Sequence, residues 1–323
     1  MILTHNPPDP DSISSAAALQ LLGKVLADAR TTIAYGGIIG RSENASMVRF
    51  LKLKLRPVQE IRFSEYDAIA MVDTQPKTGN NALPSRAKLG LVIDHHPMIA
   101  PSKKVPFVDI RTGYGATASI LTQYLTNLDI RIDQSLATAL LYAIKSETQD
   151  LARQAYPIDV DCYVKLFPLA NKGLLAKIVR ARVSRDYFSF MSKAISNASL
   201  VGSAVVTRLG EVSNPDIVPE VADLMLRLEG ATWAFASGIY REALYLSIRT
   251  TNARKNAGKI MKALVKNRGT GGGHALIAGG RIDVPGESPW DNHALAESVE
   301  SDFLRRVQKN PPSRVPLVDE RTP

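Results

Sequence analysis

Short, almost wholly apolar runs alternate with helix-period segments through the first hundred residues, and no other feature of this chain constrains its fold as strongly. Met1-Ile2-Leu3-Thr4, residues 31–35, residues 68–72 and Leu89-Gly90-Leu91-Val92-Ile93 read as strands. Residues 12–29, with Ala16, Leu19, Leu22, Val25 and Leu26 on one face, and residues 46–55 read as helices. Strands apolar on both faces suit a parallel sheet, and their alternation with helices predicts an α/β fold with a doubly wound, mostly parallel sheet. In such sheets ligands bind beyond the carboxyl ends of the strands. His5, Asp73 and Asp94 each follow a predicted strand directly.

Farther along, residues 116–128, 133–151, 160–170 and 185–197 read as helices, and strands return at 204–209, 233–240, 244–250 and 281–284. Helices are predicted at 218–228 and 292–308. The expected organisation is a first domain over 1–184, a connector helix over 185–199, a smaller α/β domain over 200–309 and a loose tail over 310–323. The tail is expected because Pro311 and Pro312 end the last helix. With 323 residues and 45% hydrophobic content, the chain can bury a proper core. No apolar stretch approaches a membrane span and the first residues lack a basic signal region, so the expectation is a cytoplasmic protein that does not engage a membrane. The single cysteine, Cys162, excludes an intrachain disulfide and reads as a small core residue.

The net charge of +9 is unevenly spread. Residues 172–185 hold five basic side chains and no acid, and residues 241–281 hold nine basic side chains and one acid, Glu242. Cations gathered in one half suit a polyanionic substrate, although solvated lysines on helix faces account for part of them.

The chemistry is concentrated in three segments. In His5-Asn6-Pro7-Pro8-Asp9-Pro10-Asp11 the prolines bar a regular helix or ladder and stiffen a loop that can aim three donors. Asp94-His95-His96 follows the fourth apolar run, and Asp73 leaves the strand before it. Imidazole and carboxylate together suit Mn²⁺, Mg²⁺, Zn²⁺ or Fe, and crowded acids at strand ends need a compensating cation. Singly, each has a plainer reading: Asp11 or Ser12 could be the N-cap of the first helix, and His95-His96 could be one core and one surface imidazole. The third segment is Gly271-Gly272-Gly273-His274, in a glycine-rich stretch that is either an anion-binding turn or a flexible one. His293 reads as a surface or capping residue, Trp233 and Trp290 as packing residues with stacking on bases as the alternative, and Tyr114 has no assigned role.

Together these segments resemble the signature motifs of the DHH phosphoesterase superfamily, and Gly271-Gly272-Gly273-His274 resembles the motif of its associated C-terminal domain. The resemblance implies that His5 and Asp9 ligate one Mn²⁺-type ion, that Asp11 and His95 ligate a second, and that Asp73 bridges them, with Mg²⁺ the other candidate. It implies that Asp94 orients the site, that His96 touches the scissile phosphate, and that Arg249, Gly271, Gly272, Gly273 and His274 grip the far end of the substrate. One position departs from the family pattern, which places Asp in a helix end resembling Gly-Ile-x-Thr-Asp-Thr. Here the chain reads Ala143-Ile144-Lys145-Ser146-Glu147-Thr148-Gln149-Asp150, so Glu147 takes that place and Asp150 offers a second carboxylate on the same face if the helix continues.

The group most resembled is that of nanoRNase/pAp-phosphatases, with a site in the cleft between domains. It acts on very short RNA or DNA oligonucleotides and on 3′-phosphoadenosine 5′-phosphate. A RecJ-type exonuclease, a cyclic or linear dinucleotide phosphodiesterase and a polyphosphatase are competing enzymatic readings, and the Gly-Gly-Gly-His motif argues against the pyrophosphatase branch. A catalytically weak nucleotide-binding regulator is the reading from another class, and the resemblance leaves room for a homodimer.

Overall fold

Ile2, Leu3, Ile33, Ala34, Met71, Val72, Val92 and Ile93 are buried almost completely, as interior parallel strands require. They belong to the first of two units, Met1–Arg182 and Val183–Pro323, of a computed structural model that describes residues 1–284 and 289–318, without the side chains of 289–291. The first unit runs β1 (Ile2–Leu3), α1 (Pro10–Ala27), β2 (Ile33–Tyr35), α2 (Ser42–Phe50), β3 (Leu55–Pro57), β4 (Ile69–Val72), β5 (Leu89–Asp94), β6 (Phe107–Ile110), α3 (Thr117–Asn127), α4 (Gln134–Glu147), α5 (Pro157–Leu166) and α6 (Lys172–Val179). Its six strands are all parallel, in the order β3-β2-β1-β4-β5-β6. The direction of winding therefore reverses between β1 and β4. The loops that leave these two strands carry His5 and Asp73, at the place where doubly wound sheets bind ligands.

One face of this sheet packs against Leu22, Ile120, Leu121, Leu140 and Leu141 of α1, α3 and α4. The other face is covered mainly by single side chains from connecting segments, among them Val58, Ile61, Phe63, Tyr66 and Leu83. The sequence pattern does not distinguish these two coverings, since both leave the strand wholly apolar.

Several boundaries differ from expectation for identifiable reasons. Helix α1 begins at Pro10, because a proline at the first helical position lacks only an N–H that the helix would leave unpaired. Helix α2 starts at Ser42 and stops at Phe50, and the residues after it form the three-residue edge strand β3. Helix α4 stops at Glu147, because Gln149, Asp150 and Leu151 all take left-handed backbone angles, φ 48°, 59° and 64°. Helix α6 lies within the basic run, and its Leu174 and Ile178 pack into a core with Met47 of α2 and Ala139 of α4. Cys162 is buried, as expected.

The second unit runs α7 (Arg185–Ser196), β7 (Ser199–Val201), β8 (Ala204–Glu211), α8 (Ile217–Met225), β9 (Trp233–Tyr240), β10 (Ala243–Thr250), α9 (Ala257–Leu264), β11 (Gly269–Gly273), β12 (Ile277–Asp283), α10 (Pro289–Val307) and β13 (Val315–Pro316). The sheet order is β11-β12-β10-β9-β8-β7-β13, with β8 and β9 parallel and the other neighbours antiparallel. Ala194 of α7 and Val218, Val221 and Ala222 of α8 pack on one face. Met261 of α9 and Val299 and Phe303 of α10 pack on the other, where Phe303 stacks on Phe235 at 4.9 Å between ring centroids. Trp233 is buried against Phe303, whereas the side chain of Trp290 lies outside the described residues.

Two expectations are corrected here. The helix expected as a connector, residues 185–199, is built into the second unit: the Thr207 hydroxyl donates to the Ala194 carbonyl at 2.8 Å, and Ala194 and Ala198 sit in its core. The expected loose tail, 310–323, is ordered through residues 315–317, where β13 pairs with β7 and the Leu317 N–H donates to the Ala198 carbonyl at 2.9 Å. Proline ends a helix but suits an edge strand, so Pro311 and Pro312 stop α10 without ending order. Residues 319–323 lie outside the described residues. Among the described residues, no helix is long and apolar enough to cross a membrane.

Candidate metal centre

The loop after β1 is fastened on two sides. The Asn6 N–H donates to the Asn80 carbonyl at 2.6 Å, and the Asn6 side-chain oxygen accepts the Gly36 N–H at 2.8 Å. His5 is thereby aimed at Asp9 and Asp73, with Nε2 at 3.2 Å from Asp9 Oδ1 and 3.4 Å from Asp73 Oδ2. Asp9 is also the N-cap of α1, since its Oδ1 accepts the Ser12 N–H at 2.8 Å while Ser12 Oγ accepts the Asp9 N–H at 3.1 Å. The cap expected at Asp11 or Ser12 is therefore Asp9. Asp11 caps a different helix: its Oδ2 accepts the Thr117 N–H and its Oδ1 the Ala118 N–H, each at 2.7 Å. These are orphan donors at the start of α3, whose own N-cap position, Ala116, has no side-chain acceptor.

Asp73 lies at the middle of the cluster and is only 3% exposed. Its backbone is left-handed at φ 58°, a conformation Asp tolerates better than most residues, and its N–H donates to the Ile93 carbonyl at 2.9 Å. Asp73 Oδ1 is 3.5 Å from His95 Nε2 and 3.8 Å from His96 Nδ1, while Oδ2 faces His5. Two sets, His5–Asp9–Asp73 and Asp73–His95–His96, each bring their ligand atoms within 4.8 Å of one another, and Asp73 belongs to both. Asp94 turns inward instead. Its Oδ1 accepts the N–H groups of His95 and His96 at 2.8 and 3.2 Å and lies 2.9 Å from His96 Nδ1, while Oδ2 accepts from Gln75 Nε2 at 2.7 Å. It shapes the His–His turn and sets the orientation of His96.

Glu147 feels the charges of Asp9 and Asp73 without belonging to either of these two sets, and Asp150 is turned away. Burial first, then the charges of Asp9 and Asp73, pushes the Glu147 carboxyl up to about 8. Asp150 is exposed and paired with Lys145. Burial and the carboxylates of Asp73, Asp9 and Glu147 likewise hold Asp11 well above the usual carboxylate range. Burial opposes charge on His5 and His96, yet their acidic partners win, leaving His5 well above its ordinary value and His96 at about 9. Asp9 and Asp94 lie below the usual range, because His5 and Ser12 in the first case and His96 and Gln75 in the second outweigh burial. The bare protein gathers protons on a crowd of buried acids, as a site built for a cation does.

The donors fit a divalent cation on one further ground. His95 Nδ1 lies 3.2 Å from the Tyr114 carbonyl, and only a protonated Nδ1 can make that hydrogen bond. Nε2 then presents its lone pair, buried and without a hydrogen-bond partner, toward Asp73 Oδ1 at 3.5 Å and Asp11 Oδ2 at 4.0 Å. A lone pair facing carboxylates is repulsive unless a cation or a proton lies between them. An imidazole fixed by one nitrogen on a carbonyl, with the other nitrogen free, is the usual form of a metal-ligating histidine.

The remaining candidates lie in the second unit. Gly271, Gly272 and Gly273 do not form a turn; they are the edge strand β11, paired with Gly280, Gly279 and Ala278 of β12. Glycine leaves room for α9 to lie directly on this hairpin: a Cβ on Gly280 would sit 2.5 Å from Met261 Sδ, which would have to shift. His274 opens the hairpin turn, its N–H donating to the Ile277 carbonyl and its carbonyl accepting the Gly258 N–H. Arg249 pairs with Ile277 in the ladder, which puts it at the same end of the sheet as His274. Its guanidinium is buried and held by Asp223 of α8 and by Ser247 Oγ at 2.8 Å. His293 is exposed on α10, 4.0 Å from Glu297.

Residues 1–144 match the DHH family, N-terminal domain, and residues 201–300 match the DHHA1 domain. The chain is a DHH–DHHA1 protein. The DHH–DHHA1 chain is 36% identical over 309 residues to an uncharacterized protein of Methanocaldococcus jannaschii, covering 95% of this chain and 63% of that protein. It is 26% identical over 148 residues to a probable manganese-dependent inorganic pyrophosphatase of Lactobacillus gasseri, covering 46% of this chain and 47% of that protein. The chain thus spans less than two thirds of the length of either relative. Among solved structures, an exopolyphosphatase-related protein from Bacteroides fragilis superposes with a TM-score of 0.73 at 13% identity, covering 95% of this chain and 93% of that one. At that identity the likeness is one of fold.

Proposed function

We propose that this DHH–DHHA1 chain is a divalent-metal-dependent phosphoesterase that hydrolyses short oligonucleotides, 3′-phosphoadenosine 5′-phosphate, or both. The reading is carried by one observation: Asp73 offers one oxygen to His5 and the other to His95, whose buried Nε2 has no hydrogen-bond partner. His5, Asp9 and Asp73 would hold one cation, Asp73, Asp11 and His95 a second, and Glu147 would add charge from α4. Manganese is the first candidate, on the donor chemistry and on the name of the Lactobacillus relative. Such ions, when bound, polarise a phosphoryl oxygen and make water more acidic.

The protein's own groups supply the rest. His96 is half-exposed, with Nδ1 on Asp94, so Nε2 is the nitrogen left to donate to a phosphate oxygen. Asp94 and Gln75 keep that ring in place. In the second unit, the outer margin of the edge strand β11 would offer N–H groups to an anionic group, with the His274 side chain at its end. Arg249 would reach a phosphate only by leaving or sharing Asp223.

The names of the pyrophosphatase and exopolyphosphatase-related proteins favour a second reading, inorganic pyrophosphate or polyphosphate as substrate. A Mn²⁺-supplemented hydrolysis panel separates the two. It compares 3′-phosphoadenosine 5′-phosphate, RNAs of two to five nucleotides, linear and cyclic dinucleotides, long single-stranded DNA, pyrophosphate and polyphosphate. Preference for the first two substrates supports the proposal, preference for inorganic substrates replaces it, and tight nucleotide binding without turnover would make the chain a binding protein.

A further inference from the structure

We propose that Thr117, at the head of α3, is a positioning residue that fixes how the Asp73 carboxylate is shared between two cation sites. The inference rests on the metal-dependent reading above and concerns residues to which no metal-ligating motif draws attention.

Residues 114–118 touch three proposed ligands in five positions. The Tyr114 carbonyl accepts from His95 Nδ1, at 3.2 Å. The Thr117 and Ala118 N–H groups hold the two oxygens of Asp11, at 2.7 Å each. The Thr117 hydroxyl donates to Asp73 Oδ1 at 3.0 Å, and Thr117 is fully buried. That last bond settles the rotation of the Asp73 carboxylate. With Oδ1 held on the side of His95 and His96, Oδ2 is left facing His5. Without the hydroxyl, the contacts left to oppose rotation of the carboxylate are those with the imidazoles of His5, His95 and His96, and the terminal side-chain torsion has broad, shallow wells.

Residues 114–118 form a strap that is itself pinned from outside the cluster. The Gly115 N–H donates to Asp159 Oδ2 at 2.8 Å, and Asp159 is buried on α5. A Cβ on Gly115 would lie 2.6 Å from the Gln154 carbonyl oxygen and 2.8 Å from Asp159 Oδ2, so the strap passes here with no room to spare. On its solvent side, the Arg111 guanidinium donates to Tyr114 Oη at 3.0 Å and also pairs with Asp109. A segment fixed at both ends can hold three ligands in a constant relation, and outer partners of this kind typically change metal affinity by about 10- to 100-fold when removed.

The test measures Mn²⁺ binding to the chelator-stripped full chain, with free Mn²⁺ followed by electron paramagnetic resonance. Thr117→Val keeps the shape and loses the hydroxyl, Thr117→Ser keeps the hydroxyl, and Thr117→Ala removes it with less bulk should valine disturb folding. The expected result is about 10- to 100-fold weaker binding of at least one ion in Thr117→Val and Thr117→Ala, with Thr117→Ser within a few-fold of the parent. Unchanged affinity and stoichiometry in the hydroxyl-free variants would overturn the proposal, and so would a serine variant as weak as valine. If the parent chain bound no Mn²⁺, the metal-dependent reading would fall with it, an outcome distinct from equal binding by parent and variants.

Discussion

Replacing Glu147 by Gln should stabilise the metal-free protein and weaken its grip on metal, two effects of opposite sign from one substitution. Burial and the neighbouring carboxylates raise Glu147 from an ordinary 4.5 to about 8. Between those values the folded chain holds a proton that the unfolded chain has released, so stability falls as pH rises through this window. At about 1.4 kcal/mol per tenfold change, the full effect is roughly 5 kcal/mol, of which roughly half is lost between pH 6 and 8.5. Urea unfolding of chelator-treated protein at the two pH values gives the slope, which should flatten in Glu147→Gln, and Mn²⁺ titration gives the affinity, which should drop about tenfold or more. Asp150→Asn, on the surface beside Lys145, should change neither quantity. The reasoning would be refuted if Glu147→Gln kept the parent slope and bound Mn²⁺ as the parent does.

Asp73→Ala should abolish turnover and reduce bound metal while far-ultraviolet circular dichroism stays unchanged; full activity with full metal content would remove the shared-carboxylate model. Mn²⁺ added to metal-free protein near pH 7.5 should release protons, because His5, His96, Asp11 and Glu147 all lie above their ordinary values, and acidification of a weak buffer measures it. His274→Ala should lower kcat/KM for short oligonucleotides more than for a minimal aryl phosphodiester, whereas an equal loss on both would move His274 to the chemical centre. Gly280→Ala should cost about 1–3 kcal/mol through the Met261 contact, read as a lower denaturation midpoint, and an unchanged midpoint would mean that α9 moves aside freely.

The parallel sheet and its ligand-bearing edge were legible in the sequence because buried parallel strands leave an unmistakable apolar trace. The membership of His5, Asp9, Asp73 and His95 in one cluster followed from their position after strands. What eluded sequence reasoning depended on contacts made far along the chain. Asp11 looks like a local cap, yet the helix it caps begins 106 residues later. Glu147 and Asp150 could not be separated until three left-handed residues ended α4 between them and the next turn. Thr117 and Gln75 belong to no motif; the available signals were a polar residue at a helix start and another two positions after a strand-terminal Asp. The glycines of β11 were ambiguous because the side chain that excludes a Cβ at Gly280, Met261, comes from a helix packed across the hairpin.

Strand β13 bears on how the second unit behaves among copies of itself. Strand β13 closes one margin of its sheet with two residues, Val315 and Pro316, paired to Leu200 and Ser199. A strand that short presents almost no ladder to an incoming chain, and the proline offers no N–H at all. The margin formed by β7 would otherwise be a template for intermolecular pairing. A few residues after a proline pair thus act as a chain terminator for the sheet, and removing them should make the protein more prone to aggregate before it makes it any less able to bind metal.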